Sequence, residues 1–214
     1  MTEQEWLTTT DHPWDMLEFM LELTEHRASQ RMWRLFLCAI CRRVWHLIPD
    51  PLSRKAVEIG EKYADGEATE TDLAEACLEA CKLYKIGDVV SWPWLASSAA
   101  TPGLFDFDAL LSLSNDAAMA SEDESAHHCH LLREIIGNPF RPMTIDPAWL
   151  TWSPSTVVNM IQTIYDDLAF DRMPLIADTL EQAGCTNNDI LQHCRQQGEH
   201  VRGCWVLDML LGKK

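Results

Sequence analysis

Five side chains that bind soft metals lie close together near the end of this chain: Cys185, His193, Cys194, His200 and Cys204. Thiolate sulfur and imidazole nitrogen are common donors of tetrahedral zinc sites. His200 and Cys204 are four residues apart, so a helix running from His200 to Leu211 would set both on one face, one turn from each other. Cys194 closes the helix predicted before it, and Cys185 stands just ahead of that helix. A tight helical hairpin would therefore bring Cys185, Cys194, His200 and Cys204 to one zinc site. His193, adjacent to Cys194, points to a different helical face and is left out of that set. Two other chemistries fit the same residues. Cysteine is among the most buried side chains without any metal, which would make these small core residues. Alternatively, Cys194 or Cys204 is a nucleophile with His200 as its base.

The remaining sulfur and imidazole groups carry less chemistry. Arg34, Cys38 and Cys41 have the spacing of the HxxxCxxC motif of zinc-binding anti-sigma factors, with arginine at the histidine position. A guanidinium stays protonated and cannot ligate a metal, so core packing is the better account of both cysteines. Of the run His127, His128, Cys129 and His130, only His127 and His130 are spaced to share an ion, and a solvated polar face explains the run. Arg195, His200 and Arg202 make a local basic spot, read here as paired with acidic neighbours such as Glu199 and Asp208. The chain holds no P-loop, dinucleotide fingerprint, HExxH or GxSxG motif.

The elements that must position these groups are helices. Apolar residues recur at helical spacing almost everywhere, and no segment alternates as a half-buried strand does, so the expected class is all-α. Ser29 is a candidate cap for a helix carrying Leu35, Leu37, Cys38, Cys41 and Val44; a second helix follows from Pro51 to Ala64, ended by Asp65-Gly66. Thr69 or Thr71 caps the next, which Gly87 closes. Residues 106–136 read as one long helix or as two, broken near Asn115 or Ser121. Helices are expected also from Ser153 or Ser155 to Leu168, from Pro174 to Gly184 and from Asp189 to Arg195. Chain length suits a single helical domain over 1–214. Residues 91–103, SWPWLASSAATPG, are the best candidate linker, and would subdivide the chain into 1–90 and 104–214. Four prolines in GNPFRPMTIDPAWLTWSPS, two of them flanking the stretch's tryptophans, predict an irregular loop near 137–153 that packs across a helical layer.

The formal charge is −16, from 33 acidic against 17 basic residues. Such a surface disfavours nucleic acid and anionic membranes and suits a basic protein partner. No apolar run is long enough to span a bilayer. A start without a basic, apolar leader places the chain in the cytoplasm, where its eight cysteines would be free thiols. Aromatic and arginine side chains anchor protein interfaces. The candidate interaction surface is accordingly Phe140, Arg141, Trp149 and Trp152 of the loop, with Arg202 and Trp205 of the terminal hairpin. The expected role is a non-catalytic binding or regulatory module; a zinc-stabilised helical domain and a thiol-dependent enzyme are the alternatives.

Four stretches, TEQEWLTTTDHPWDMLEF, LFLCAICRRVWHL, GNPFRPMTIDPAWLTW and AFDRMPLIADTLEQAGCTNNDILQHCRQQGEHVRGCWVLDMLLGKK, resemble a family of uncharacterised proteins of planctomycete bacteria. They cover a little under half of the chain. The resemblance implies a bacterial cytoplasmic protein and carries no established activity. Some members of that family bear a label borrowed from the yeast cell-wall-assembly regulators, an α+β fold whose strands this sequence does not suggest, so no catalytic residue is carried over.

Overall fold

Helical periodicity becomes helix throughout the computed structural model, which describes residues 1–23, 29–83, 92–103, 123–151, 154–196 and 198–213. Among the described residues there are twelve α-helices, two short 3-10 turns and no strand. None of these helices is long and apolar enough to cross a membrane. The chain divides into two compact units, Met1–Ile136 and Gly137–Lys214.

The first unit holds α1 (Glu3–Thr8), α2 (Pro13–Leu23), α3 (Gln30–Arg43), α4 (Pro51–Ala64), α5 (Glu70–Cys81), α6 (Trp92–Ala99) and α7 (Glu124–Ile136). Their starts are written in side chains. Ser29, Asp50 and Thr69 each accept a bond from a backbone N–H of the first turn, and Thr69 and Asp72 form a reciprocal capping box. Helix α3 is buried without a break from Trp33 to Cys41, which makes it the axis that α4, α6 and α7 pack around. Arg34, at the position where a zinc motif would need histidine, is buried and donates to the carbonyls of Ala99 at 2.8 Å and Thr101 at 3.0 Å. Cys38 and Cys41 are free and fully buried, and burial pushes both thiols well above their ordinary range. This is core packing, as the sequence indicated.

The segment expected as a linker contains α6, whose Leu95, Ala96 and Ala99 are buried. Its small residues let α6 lie close against α4. A Cβ at Gly60 would stand 2.7 Å from the carbonyl oxygen of Ala99, so only glycine fits there. Proline and serine marked a turn in the sequence, but Pro93 lies in the first turn of α6, where its missing N–H costs nothing. Helix α5 ends at Cys81, with Lys82 as its C-cap, short of the end expected at Gly87; Gly87 itself, and the expected helix or helices over 106–122, lie outside the described residues. The described part of that stretch is α7.

The second unit holds α8 (Pro147–Thr151), α9 (Pro154–Asp166), α10 (Met173–Gln182), α11 (Asn188–Arg195) and α12 (Trp205–Leu211). Its core gathers Val157, Ile161, Ile164 and Tyr165 of α9, Ile176 and Leu180 of α10, Ile190 and Leu191 of α11, and Val206, Leu207 and Leu210 of α12. Met143, Ile145, Trp149 and Leu150 pack on it, as expected of the proline-rich loop. That loop is not wholly irregular: Asp146 accepts from the Ala148 N–H at 2.9 Å and starts the short α8 with Pro147 at its first position. The last helix begins at Trp205 rather than His200. Gly203 has φ of 92°, a left-handed conformation that breaks the helical path before it.

Candidate functional site

Asn187 fixes the start of α11 by accepting from the N–H groups of Asp189 and Ile190. The helix turns Ile190, Leu191 and Cys194 into the core. His193 is left on its flank, half-buried. At the far end Arg195 donates to Asp178 at 2.8 Å and Glu181 at 2.7 Å, which ties α11 to α10. The connection then returns through His200, 7 % exposed, and through the turn closed by the Cys204 N–H on the Val201 carbonyl at 3.0 Å. Cys204, fully buried, precedes the first turn of α12.

Within this hairpin the ligand atoms of His193, His200 and Cys204 all lie within 4.8 Å of one another. The Nε2 of His193 is 3.2 Å from the Cys204 Sγ, and the His193 and His200 rings meet edge to face with centroids 5.1 Å apart. In a tetrahedral site with ordinary Zn–N and Zn–S bonds, nitrogen and sulfur ligands stand about 3.5 Å apart. The group of three is therefore compact enough to hold a metal ion, and leaves one tetrahedral position for a water or a further group.

One neighbour fixes the chemistry of His193. The indole Nε1 of Trp205 donates to its Nδ1 at 3.2 Å, and the Gln196 amide nitrogen lies 3.4 Å from the same atom. An indole N–H can only donate, so Nδ1 accepts, and the single proton of the neutral ring sits on Nε2, facing the Cys204 sulfur. In this arrangement His193 is a donor to sulfur and not a base that could take the thiol's proton. The Trp205 ring in turn packs closely on Gly137: a Cβ there, at φ of 75°, would come within 3.1 Å of it.

The structure thus brings together two of the four expected ligands, His200 and Cys204, and adds His193. Cys185 and Cys194 are buried among the apolar side chains of the second unit's core. His193 was set aside because it does not share a face with Cys194; its partners come instead from the returning loop, which helical spacing does not describe. The Gly198 and Gly203 pair around His200 was the available signal that this segment turns.

Of the expected interaction residues, Phe140 is 38 % exposed and Arg141 is exposed. The turn that carries them is ordered by Asn138, whose carbonyl accepts from the Arg141 N–H at 3.1 Å and whose side chain accepts from the Phe140 N–H at 3.0 Å. Trp149 and Trp205 are half-buried against the core. Arg202 lies over the Tyr165 ring, 5.0 Å from its centroid. Trp152 lies outside the described residues. The basic spot is resolved in part, since Arg195 pairs with Asp178 and Glu181 of α10.

The histidine run in the first unit is not a uniformly solvated face. His128 is fully buried, edge to face with Phe36 at 6.3 Å, and its Nε2 is 4.0 Å from the Glu124 carboxylate. Comparison of the chain with protein-family models, with curated proteins and with solved structures finds no match.

Proposed function

We propose that this chain is a non-catalytic binding module whose second unit is held by a zinc ion on His193, His200 and Cys204. The observation that carries the reading is the convergence of these ligand atoms within 4.8 Å, two of the three residues being buried. One thiolate with two imidazoles is a donor set that zinc favours over harder cations. The ion would join the end of α11, the return loop and the start of α12.

Two features support binding over catalysis. Trp205 holds His193 in the tautomer that cannot deprotonate Cys204, and the Cys204 sulfur is buried. The Phe140–Arg141 turn offers a protein partner an aromatic and an arginine on a backbone already ordered by Asn138. The excess of acidic residues favours a basic partner elsewhere on the surface.

The test is elemental mass spectrometry on protein purified without a histidine tag, with thermal unfolding before and after chelation. About one zinc ion per chain is expected, with stabilisation of about 3 kcal/mol when free zinc is at a hundred times its Kd. Loss of zinc in both His200→Ala and Cys204→Ser would agree with the ligand set. Folded wild-type protein that takes up no zinc on dialysis against it would sink the reading.

A further inference from the structure

We propose that Trp205 is a latch on the metal site: its indole N–H holds His193 in a tautomer that cannot coordinate, and coordination of His193 Nε2 releases it. This inference rests on the zinc reading above and concerns how that site is controlled.

A metal takes the lone pair of Nε2, so the ring proton must then reside on Nδ1. That Nδ1–H would face the Trp205 indole N–H, now 3.2 Å away, and two donors would be opposed. Of Trp205 and Gln196, the two groups described beside Nδ1, Gln196 can adapt in place. Half a turn of its amide replaces the nitrogen, 3.4 Å from Nδ1, with an oxygen that accepts. The indole has no acceptor to offer and must move. Trp205 is only half-buried, and one part of its ring lies against the bare backbone of Gly137.

The proton balance is simple. Forming the metal–sulfur bond sends the Cys204 thiol proton to solvent. The His193 proton leaves Nε2 and one is gained at Nδ1, so the ring stays neutral and one proton is released for each ion bound. Breaking the Trp205 contact opposes this exchange, which lowers affinity and makes the position of one partly exposed indole depend on occupancy.

Nitrogen-15 NMR of the histidine side chains reads the tautomer directly. Metal-free wild-type protein should show His193 protonated on Nε2, and zinc-loaded protein should show it on Nδ1. In parallel, zinc affinity is measured by competition with a chromophoric chelator for wild type, Trp205→Phe and Gln196→Ala. Removing the opposing hydrogen bond should tighten zinc about five-fold in Trp205→Phe, and removing the adapting amide should weaken it by a similar factor. The Trp205 emission, taken as wild type minus Trp205→Phe, should change on zinc addition. Zinc binding with an Nδ1–H tautomer already present in the metal-free protein would overturn the latch and leave the site intact. An affinity in Trp205→Phe no tighter than wild type would do the same. If neither protein binds zinc, the site itself is wrong and the latch falls with it.

Discussion

The indole Nε1 of Trp205 stands 3.2 Å from Nδ1 of His193, and only one direction of donation is open to that pair. A single aromatic residue thereby decides where the proton of a neighbouring imidazole lies, and which atom faces the Cys204 sulfur. The arrangement depends on the bare backbone beneath the indole.

Gly137→Ala should therefore act twice. The left-handed backbone costs an alanine about 1–2 kcal/mol, and its methyl would press on the Trp205 ring. Urea unfolding should show that loss of stability. The histidine NMR should show a His193 tautomer mixture in place of a single form.

Arg34 occupies a ligand position of a metal motif and does structural work there. Arg34→Met would leave the carbonyls of Ala99 and Thr101 without their buried donor, and is expected to cost about 2–4 kcal/mol. Arg34→Lys should recover part of that, because a single ammonium replaces a forked guanidinium. Zinc content should be the same in both variants and in wild type.

Acid should weaken the first unit through His128. Burial lowers this imidazole to about 4, against the opposing pull of Glu124. The unfolded chain protonates the same group near its ordinary value of 6.5. The stability it contributes is thus complete above about pH 6.5 and is lost as pH falls toward 4, on the order of 3 kcal/mol in all. Replacing it by His128→Leu should flatten the difference between urea midpoints measured at pH 7 and near pH 4.5. An unchanged slope in that variant would show that the effect lies elsewhere.

Thiol accessibility gives a further check. Cys81 is exposed and Cys77 partly so, whereas Cys38, Cys41, Cys129, Cys185, Cys194 and Cys204 are buried. Native labelling should modify Cys81 first and Cys77 more slowly, leaving the rest protected. Rapid modification of Cys204 would restore the thiol-enzyme reading.

The all-α class was legible because burial imposes its period on every helix, and the caps at Ser29 and Thr69 are local chemistry that a sequence displays directly. Helix α6 was not, since its signal of proline and small residues is shared by turns, and its helicity is supported by the close fit of Gly60 against Ala99. The site was half legible. His200 and Cys204 were expected together on a helical face that does not exist; a glycine-bent loop joins them. The role of Trp205 depends on which ring nitrogen it meets, and no spacing rule encodes that.

The buried sulfurs are shared evenly between the two units: Cys38, Cys41 and Cys129 in one, Cys185, Cys194 and Cys204 in the other. Each set is a built-in reporter of how often its own unit opens. If the units breathe independently, the two sets would be trapped by a thiol reagent at different rates, and zinc would slow only the second. If the chain opens as one cooperative body, all six would react together and the metal would protect sulfurs that it never touches.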